Sequence, residues 1–111
     1  MVHSTLSSAA VKVRQWAASN PAVRRVWLFG SRVRGTHSVE SDLDIAVEVS
    51  ALPGDEDAFT TWVAESGSWQ RQLSTLLPWR AHLSRYEGTA TSEVSEGIRD
   101  GVLVYEREVT A

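Results

Sequence analysis

Val23-Arg24-Arg25-Val26-Trp27-Leu28-Phe29-Gly30-Ser31 and, after ten intervening residues, Asp42-Leu43-Asp44-Ile45-Ala46-Val47-Glu48-Val49 form the stretch on which the fold turns. The first segment is rich in β-branched and aromatic side chains and stops abruptly at Gly30-Ser31, which reads as a strand running into a tight turn. In the second, Leu43, Ile45, Val47 and Val49 alternate with Asp44, Ala46 and Glu48. A period of two is that of a half-buried strand, so its acidic side chains share one face.

Working outward, Leu6, Ala9, Ala10, Val13, Trp16 and Ala17 recur at helical spacing, with Ser4 or Thr5 as the expected cap and Asn20-Pro21 as the stop. Downstream of Leu52-Pro53-Gly54, the acids Asp55, Glu56 and Asp57 suit the positive end of a helix. Its expected buried face is Ala58, Phe59, Trp62, Val63, Leu73, Leu76 and Leu77, with a break at Ser66-Gly67-Ser68 and a stop at Pro78. A third strand is expected over about Arg80 to Tyr86, then a short helix from Ser92 closed by Gly101, then a last strand at Val102-Leu103-Val104-Tyr105. The order α-β-β-α-β-α-β predicts an α+β chain, an α/β sandwich with a small mixed sheet of about four strands covered by helices.

The chain has 111 residues, matching one domain over 1–111 at the usual ~100–200 residues per domain. Hydrophobic residues make up 42% and charged residues 23%, a composition that excludes disorder. The net charge of −3 conceals two poles. Lys12, Arg14, Arg24, Arg25, Arg32 and Arg34 precede Glu40 with no acid among them, and all 14 acids follow. With no cysteine, disulfides, thiol catalysis and thiolate metal sites are excluded. No apolar run approaches the ~18 residues of a membrane span, and MVHSTLSSAA lacks the order of a signal peptide, so a cytoplasmic protein is expected.

The residues that carry chemistry lie between the first two strands. Gly30 lets backbone approach a ligand closely, and the N–H groups of the following turn, with the Ser31 hydroxyl, suit triphosphate oxygens. Arg32 and Arg34 add positive charge beside that turn. Asp42 and Asp44, two apart on a strand, place both carboxylates on one side, as a magnesium shared with substrate phosphates requires. The bland alternatives are an N-cap for Gly30-Ser31, a solvated strand face for the aspartates and ordinary surface arginines. Aspartate is depleted in strands, however, so two in alternation need an explanation. His3 and His37 read as solvated loop residues. Trp16, Trp27 and Trp62 fall on apolar faces, whereas Trp69 and Trp79 are less clearly buried and would mark a partner surface if exposed.

Gly30-Ser31-Arg32-Val33-Arg34-Gly35, followed by Ser41-Asp42-Leu43-Asp44-Ile45-Ala46-Val47, resembles the GS…DxD signature of the DNA polymerase beta-like nucleotidyltransferases. In length and N-terminal helix the chain is most similar to the minimal nucleotidyltransferases, small proteins encoded beside a HEPN-domain partner. The resemblance spans residues 5–106 and includes the ending Ile98-Arg99-Asp100-Gly101-Val102-Leu103-Val104-Tyr105-Glu106. It implies the polymerase beta-like fold, phosphate binding at Gly30 and Ser31, and Mg2+ on Asp42 and Asp44. The implied reaction is transfer of AMP from ATP to an acceptor hydroxyl, with loss of pyrophosphate. The family's third carboxylate, on a later strand, has no match here: its place in Arg80-Ala81-His82-Leu83-Ser84-Arg85 falls to His82, with Glu87 the nearest carboxylate.

Two readings follow. Either the His82 imidazole accepts a proton in an active enzyme, an antitoxin that modifies a HEPN-type toxin, or the site is degenerate and the fold only binds and neutralises its partner. Antibiotic nucleotidyltransferases share the motif but resemble the chain only in their N-terminal part. Direct nucleic-acid binding is not expected of a net acidic chain without a recognition module. An oligomer stays open.

Overall fold

In a computed structural model of the chain, residues 2–88, 94 and 97–107 are described, the side chains of residues 2–5 excepted. Helix α1 (Val2–Ala18) leads into β1 (Val23–Phe29), a one-turn helix α2 (Ser31–Arg34), β2 (Leu43–Val49), α3 (Ala58–Leu76), β3 (Ala81–Tyr86) and β4 (Val102–Glu106). The four strands form one mixed sheet in the order β3-β2-β1-β4. β1 pairs antiparallel with β2 and with β4, while β2 pairs parallel with β3. A parallel pair needs a crossover, and α3 supplies it. This is the small mixed α+β architecture, one sheet of four strands covered by helices, expected from the sequence.

Alternation decides what each face of the sheet meets. Val26 and Leu28 of β1 with Leu43, Ile45 and Val47 of β2 join Ala9, Val13, Trp16 and Ala17 of α1 and Trp69 and Leu73 of α3 in one buried cluster. By register, the other face carries Trp27 and Phe29, then Ala46 and Asp44, then Ser84 and His82. Trp16, Trp69 and Trp62 meet edge to face, with ring centroids 5.8 Å and 6.4 Å apart. Such geometry matches the quadrupoles of the rings.

Several expectations are corrected. α1 starts at Val2, so Ser4 and Thr5 lie inside it rather than capping it. α3 runs unbroken through Ser66-Gly67-Ser68. Its buried stripe is Thr61, Trp69 and Leu73, eight and four apart, with Leu77 buried just past its end, while Phe59, Val63 and Leu76 are exposed. The stripe was misread because Thr61 is fully buried despite its hydroxyl, which accepts from Leu52 N–H at 3.0 Å and donates to Asp55 at 2.5 Å. Trp69 is only 3% exposed and is no partner surface. Trp79 is half-buried. His37 lies in the loop, as expected, but is half-buried, and its Nδ1 is buried without a hydrogen-bond partner among the described residues. His3 lies in α1, its side chain outside the described residues, and the expected helix from Ser92 also lies largely outside them. No helix among the described residues is long and apolar enough to cross a membrane.

Candidate active site

β1 ends at Phe29, and the chain reverses through Gly30, which adopts φ 83° and ψ −164°. Two independent constraints require glycine there. That backbone conformation is nearly exclusive to glycine, and a β-carbon would lie 1.9 Å from Oδ2 of Asp44. The Asp44 carboxylate therefore rests directly on the Gly30 backbone. The turn continues into α2, closed by Gly35 in the left-handed conformation with its N–H bonded to Ser31 O.

Asp44 is the second residue of β2 and pairs across the parallel ladder with His82 of β3. Nδ1 of His82 lies 2.9 Å from Oδ1 of Asp44. The tautomer that satisfies both groups carries the proton on Nδ1, which donates to the carboxylate and leaves Nε2 as an acceptor. The imidazole side chain is 62% exposed, so Nε2 has access to incoming groups. Asp42 stands just before β2 rather than within it. It is half-buried and makes no ion pair or hydrogen bond with a described residue. Glu87 does not approach the pair: it lies beyond the far end of β3, roughly 16 Å from His82 at strand rise, and its carboxylate meets Arg85 at 2.6 Å.

The two arginines of the turn differ. Arg34 is exposed, but Arg32 is 7% exposed and turned away from solvent. Its Nε donates to Ser41 O at 2.7 Å and its Nη2 to Val39 O and Ser38 O at 3.2 and 3.3 Å. Its guanidinium carbon stands 4.2 Å from the ring centroid of Trp79. The structure thus brings Gly30, Ser31, Asp44 and His82 to one end of the sheet with Asp42 beside them, and directs Arg32 into the loop.

The contributions of Ser38, Ser41, Trp79 and Gln70 were not read from the sequence. Ser38 and Ser41 brace the loop ahead of Asp42 through side-chain bonds to each other and to backbone N–H groups. A Ser-x-x-Ser spacing ahead of the aspartates was the only available signal, because such hydroxyls favour turns. Gln70 of α3 donates to Ala81 O and accepts from Leu83 N–H at 3.1 Å, gripping the backbone on both sides of His82.

The donors present fit magnesium. Among the described residues no group of three or more acidic, histidine or cysteine side chains gathers. The protein offers the Asp42 carboxylate and Oδ2 of Asp44, and magnesium takes one or two carboxylates with phosphate oxygens and water completing its shell. An open groove of about 720 Å³, lined by Lys12, Gln15, Trp16, Arg71, Gln72 and Leu76 among others, shares no residue with this site.

Residues 11–110 match the family model described as polymerase beta, nucleotidyltransferase. No curated protein matches the sequence. Among solved structures, one of a toxin-antitoxin with AMP-PNP superposes with a TM-score of 0.62 at 22% identity, covering 89% of this chain and 74% of that one. A toxin-antitoxin MntA-HpeT variant with two aspartates changed to glutamate gives 0.64 at 21% identity, with 89% and 74% covered. A candidate nucleotidyltransferase from Sulfolobus solfataricus gives 0.52 at 22% identity, with 96% and 84% covered. At these identities the likeness is one of fold.

Proposed function

The chain belongs to the polymerase beta nucleotidyltransferase family, and from that membership we propose that it is a cytoplasmic minimal nucleotidyltransferase, the antitoxin of a HEPN-type toxin, that transfers AMP from ATP to a hydroxyl of its protein partner. The observation that carries this reading is the setting of Asp44. Its Oδ2 rests on Gly30 of the neighbouring turn, and its Oδ1 meets His82 on the strand at its other side. The turn and the imidazole thus stand on either side of one carboxylate. An in-line displacement has the same layout, with the leaving group on one side and the nucleophile on the other.

In this reading the bare Gly30 backbone and the Ser31 hydroxyl hold the distal phosphates, while Asp42 and Asp44 hold magnesium. The metal supplies neutralisation of phosphate charge. The acceptor hydroxyl oxygen forms a bond to the α-phosphorus as the bond from that phosphorus to the bridging oxygen breaks, and pyrophosphate leaves past the turn. The hydroxyl proton passes to Nε2 of His82, whose ring is held by Asp44 at Nδ1, and then to solvent. A histidine oriented by a carboxylate is an established form of general base.

A second reading starts from the resemblance, which puts the His82 imidazole at the place of the family's third carboxylate. In that case the fold binds and neutralises its partner without turnover. The test is to incubate the full chain with Mg2+, ATP and the product of the neighbouring reading frame, the expected toxin, and to weigh both proteins intact. The enzyme reading expects AMP units on the toxin that vanish with Asp42→Asn or Asp44→Asn. With His82→Ala the rate should fall about a hundredfold while ATP affinity stays. A stable complex without mass addition establishes the binding reading instead, and unchanged transfer by His82→Ala removes the imidazole from the mechanism.

A further inference from the structure

Arg32 looks in the sequence like a phosphate ligand, and the structure gives its donors to something else. The carbonyls of Ser38, Val39 and Ser41 converge on its guanidinium. No carboxylate pairs with it among the described residues. A buried cation needs compensation, and here three carbonyl dipoles and the face of Trp79 provide it. The same contacts constrain the site. Ser41 O belongs to the planar peptide unit that joins Ser41 to Asp42, so fixing that oxygen fixes the plane from which Asp42 departs. Trp79 lies three residues before His82, and the next carbonyl, Arg80 O, accepts Leu43 N–H at 3.0 Å. One guanidinium thus links the nucleotide turn, the loop carrying Asp42 and the entry to β3.

We propose that Arg32 is a positioning residue that sets Asp42 for the metal–nucleotide complex, with Trp79 as its second anchor, and that it does not touch the phosphates. This deepens the nucleotidyltransferase reading and rests on it. A phosphate ligand and a positioning residue differ in a measurable way. Loss of a phosphate contact weakens ATP binding with or without metal, whereas misplacing Asp42 removes only the gain in affinity that magnesium brings. Partners that orient metal ligands are worth about 10–100-fold in metal affinity.

The experiment measures ATP affinity of the full chain by calorimetry in Mg2+ and in EDTA, for wild type, Arg32→Gln, Trp79→Ala and Trp79→Phe. The expected result is a loss of about tenfold or more in the magnesium-dependent gain for Arg32→Gln and Trp79→Ala, with affinity in EDTA unchanged. Trp79→Phe, which keeps a π face, should restore the gain. Weakened binding in EDTA by Arg32→Gln with wild-type behaviour in Trp79→Ala overturns the proposal in favour of a direct phosphate contact. Retention of the full gain by both variants overturns it as well. If Arg32→Gln does not fold, the contrast between Trp79→Ala and Trp79→Phe decides the question alone. Amide exchange at Ser41, whose N–H bonds to Ser38 O at 3.2 Å, reports the clamp without nucleotide. It should quicken in Trp79→Ala and recover in Trp79→Phe, and unchanged exchange counts against the clamp. A wild type whose ATP affinity ignores magnesium overturns the nucleotidyltransferase reading, while the exchange result still judges the clamp.

Discussion

At the scale of single residues, Gly30 is the least replaceable position in the site, because backbone and space both exclude a side chain. Its φ of 83° with ψ −164° is a region other residues enter only under strain, and Asp44 occupies the room a β-carbon needs. Gly30→Ala should cost about 1–3 kcal/mol in urea denaturation and displace the Asp44 carboxylate, abolishing magnesium-dependent ATP binding in calorimetry. Stability and binding both equal to wild type would contradict this account of the turn. The glycine, the serine and the aspartates were legible in the sequence because turn chemistry and strand alternation operate over a few residues. The destination of the Arg32 side chain was not: guanidinium beside a phosphate-binding turn and guanidinium folded into a loop have the same local sequence.

At the scale of elements, β3 lies at an edge of the sheet, and α3 grips its backbone from one side. Gln70 bonds to Ala81 O and Leu83 N–H, and Ala81 N–H donates to the Ser74 hydroxyl at 3.2 Å. Gln70→Leu leaves a carbonyl and an N–H without these partners and should cost about 1–3 kcal/mol. Faster amide exchange confined first to residues 81–83 would locate that cost in β3, and uniform exchange would refute the local account. The start of α3 depends on pH. Asp57 accepts from Thr60 N–H and from the Thr60 hydroxyl, each at 2.8 Å. The backbone bond, then the hydroxyl bond, holds its carboxyl below the ordinary value of 3.8. A carboxyl lowered in the folded state adds stability that is complete above the unfolded value and lost as pH falls through the folded one. Urea midpoints should therefore decline below about pH 4 in part through this cap. Asp57→Asn, which still caps, should match wild type at pH 7 and show a shallower decline. Equal slopes would remove Asp57 from the acid response. The strands were legible from their period of two, but the inward face of α3 was not, since a buried threonine and an exposed phenylalanine reverse the usual assignment.

At the scale of the whole molecule, folding brings two of the six N-terminal bases, Arg24 and Arg25, against acids of the later sequence. Arg24 and Arg25 of β1 lie 3.9 and 3.5 Å from Glu48 of β2, and Arg25 lies 3.1 Å from Glu106 of β4. Arg14 donates to Val104 O at 3.0 Å. These three bases thus have partners inside the chain. Arg107 carries this further, bonding Ala17 O, Asn20 O and Val23 O and so closing the end of α1 against β1. Exposed pairs contribute little, whereas buried indole rings contribute much. Trp69→Ala should cost about 3–5 kcal/mol and remove the near-ultraviolet signal of the packed tryptophans, while Arg25→Ala should cost less than about 1 kcal/mol. A reversal of that order would show that charge pairing, not the helix–sheet core, holds the layers together.

By itself the sequence determined the strand–turn–strand unit, the glycine that the turn requires, the aspartates at the head of β2 and the mixed α+β architecture. Each of these is written in a window short enough for periodicity and turn chemistry to act. Only the tertiary structure decided that His82 faces Asp44, that Trp69 is core, that Arg32 binds a loop and that Arg24 and Arg25 meet Glu48. Those outcomes depend on which strands become neighbours. Asp44 and His82 are 38 residues apart in the chain and adjacent in the sheet only because the α3 crossover lays β3 parallel to β2.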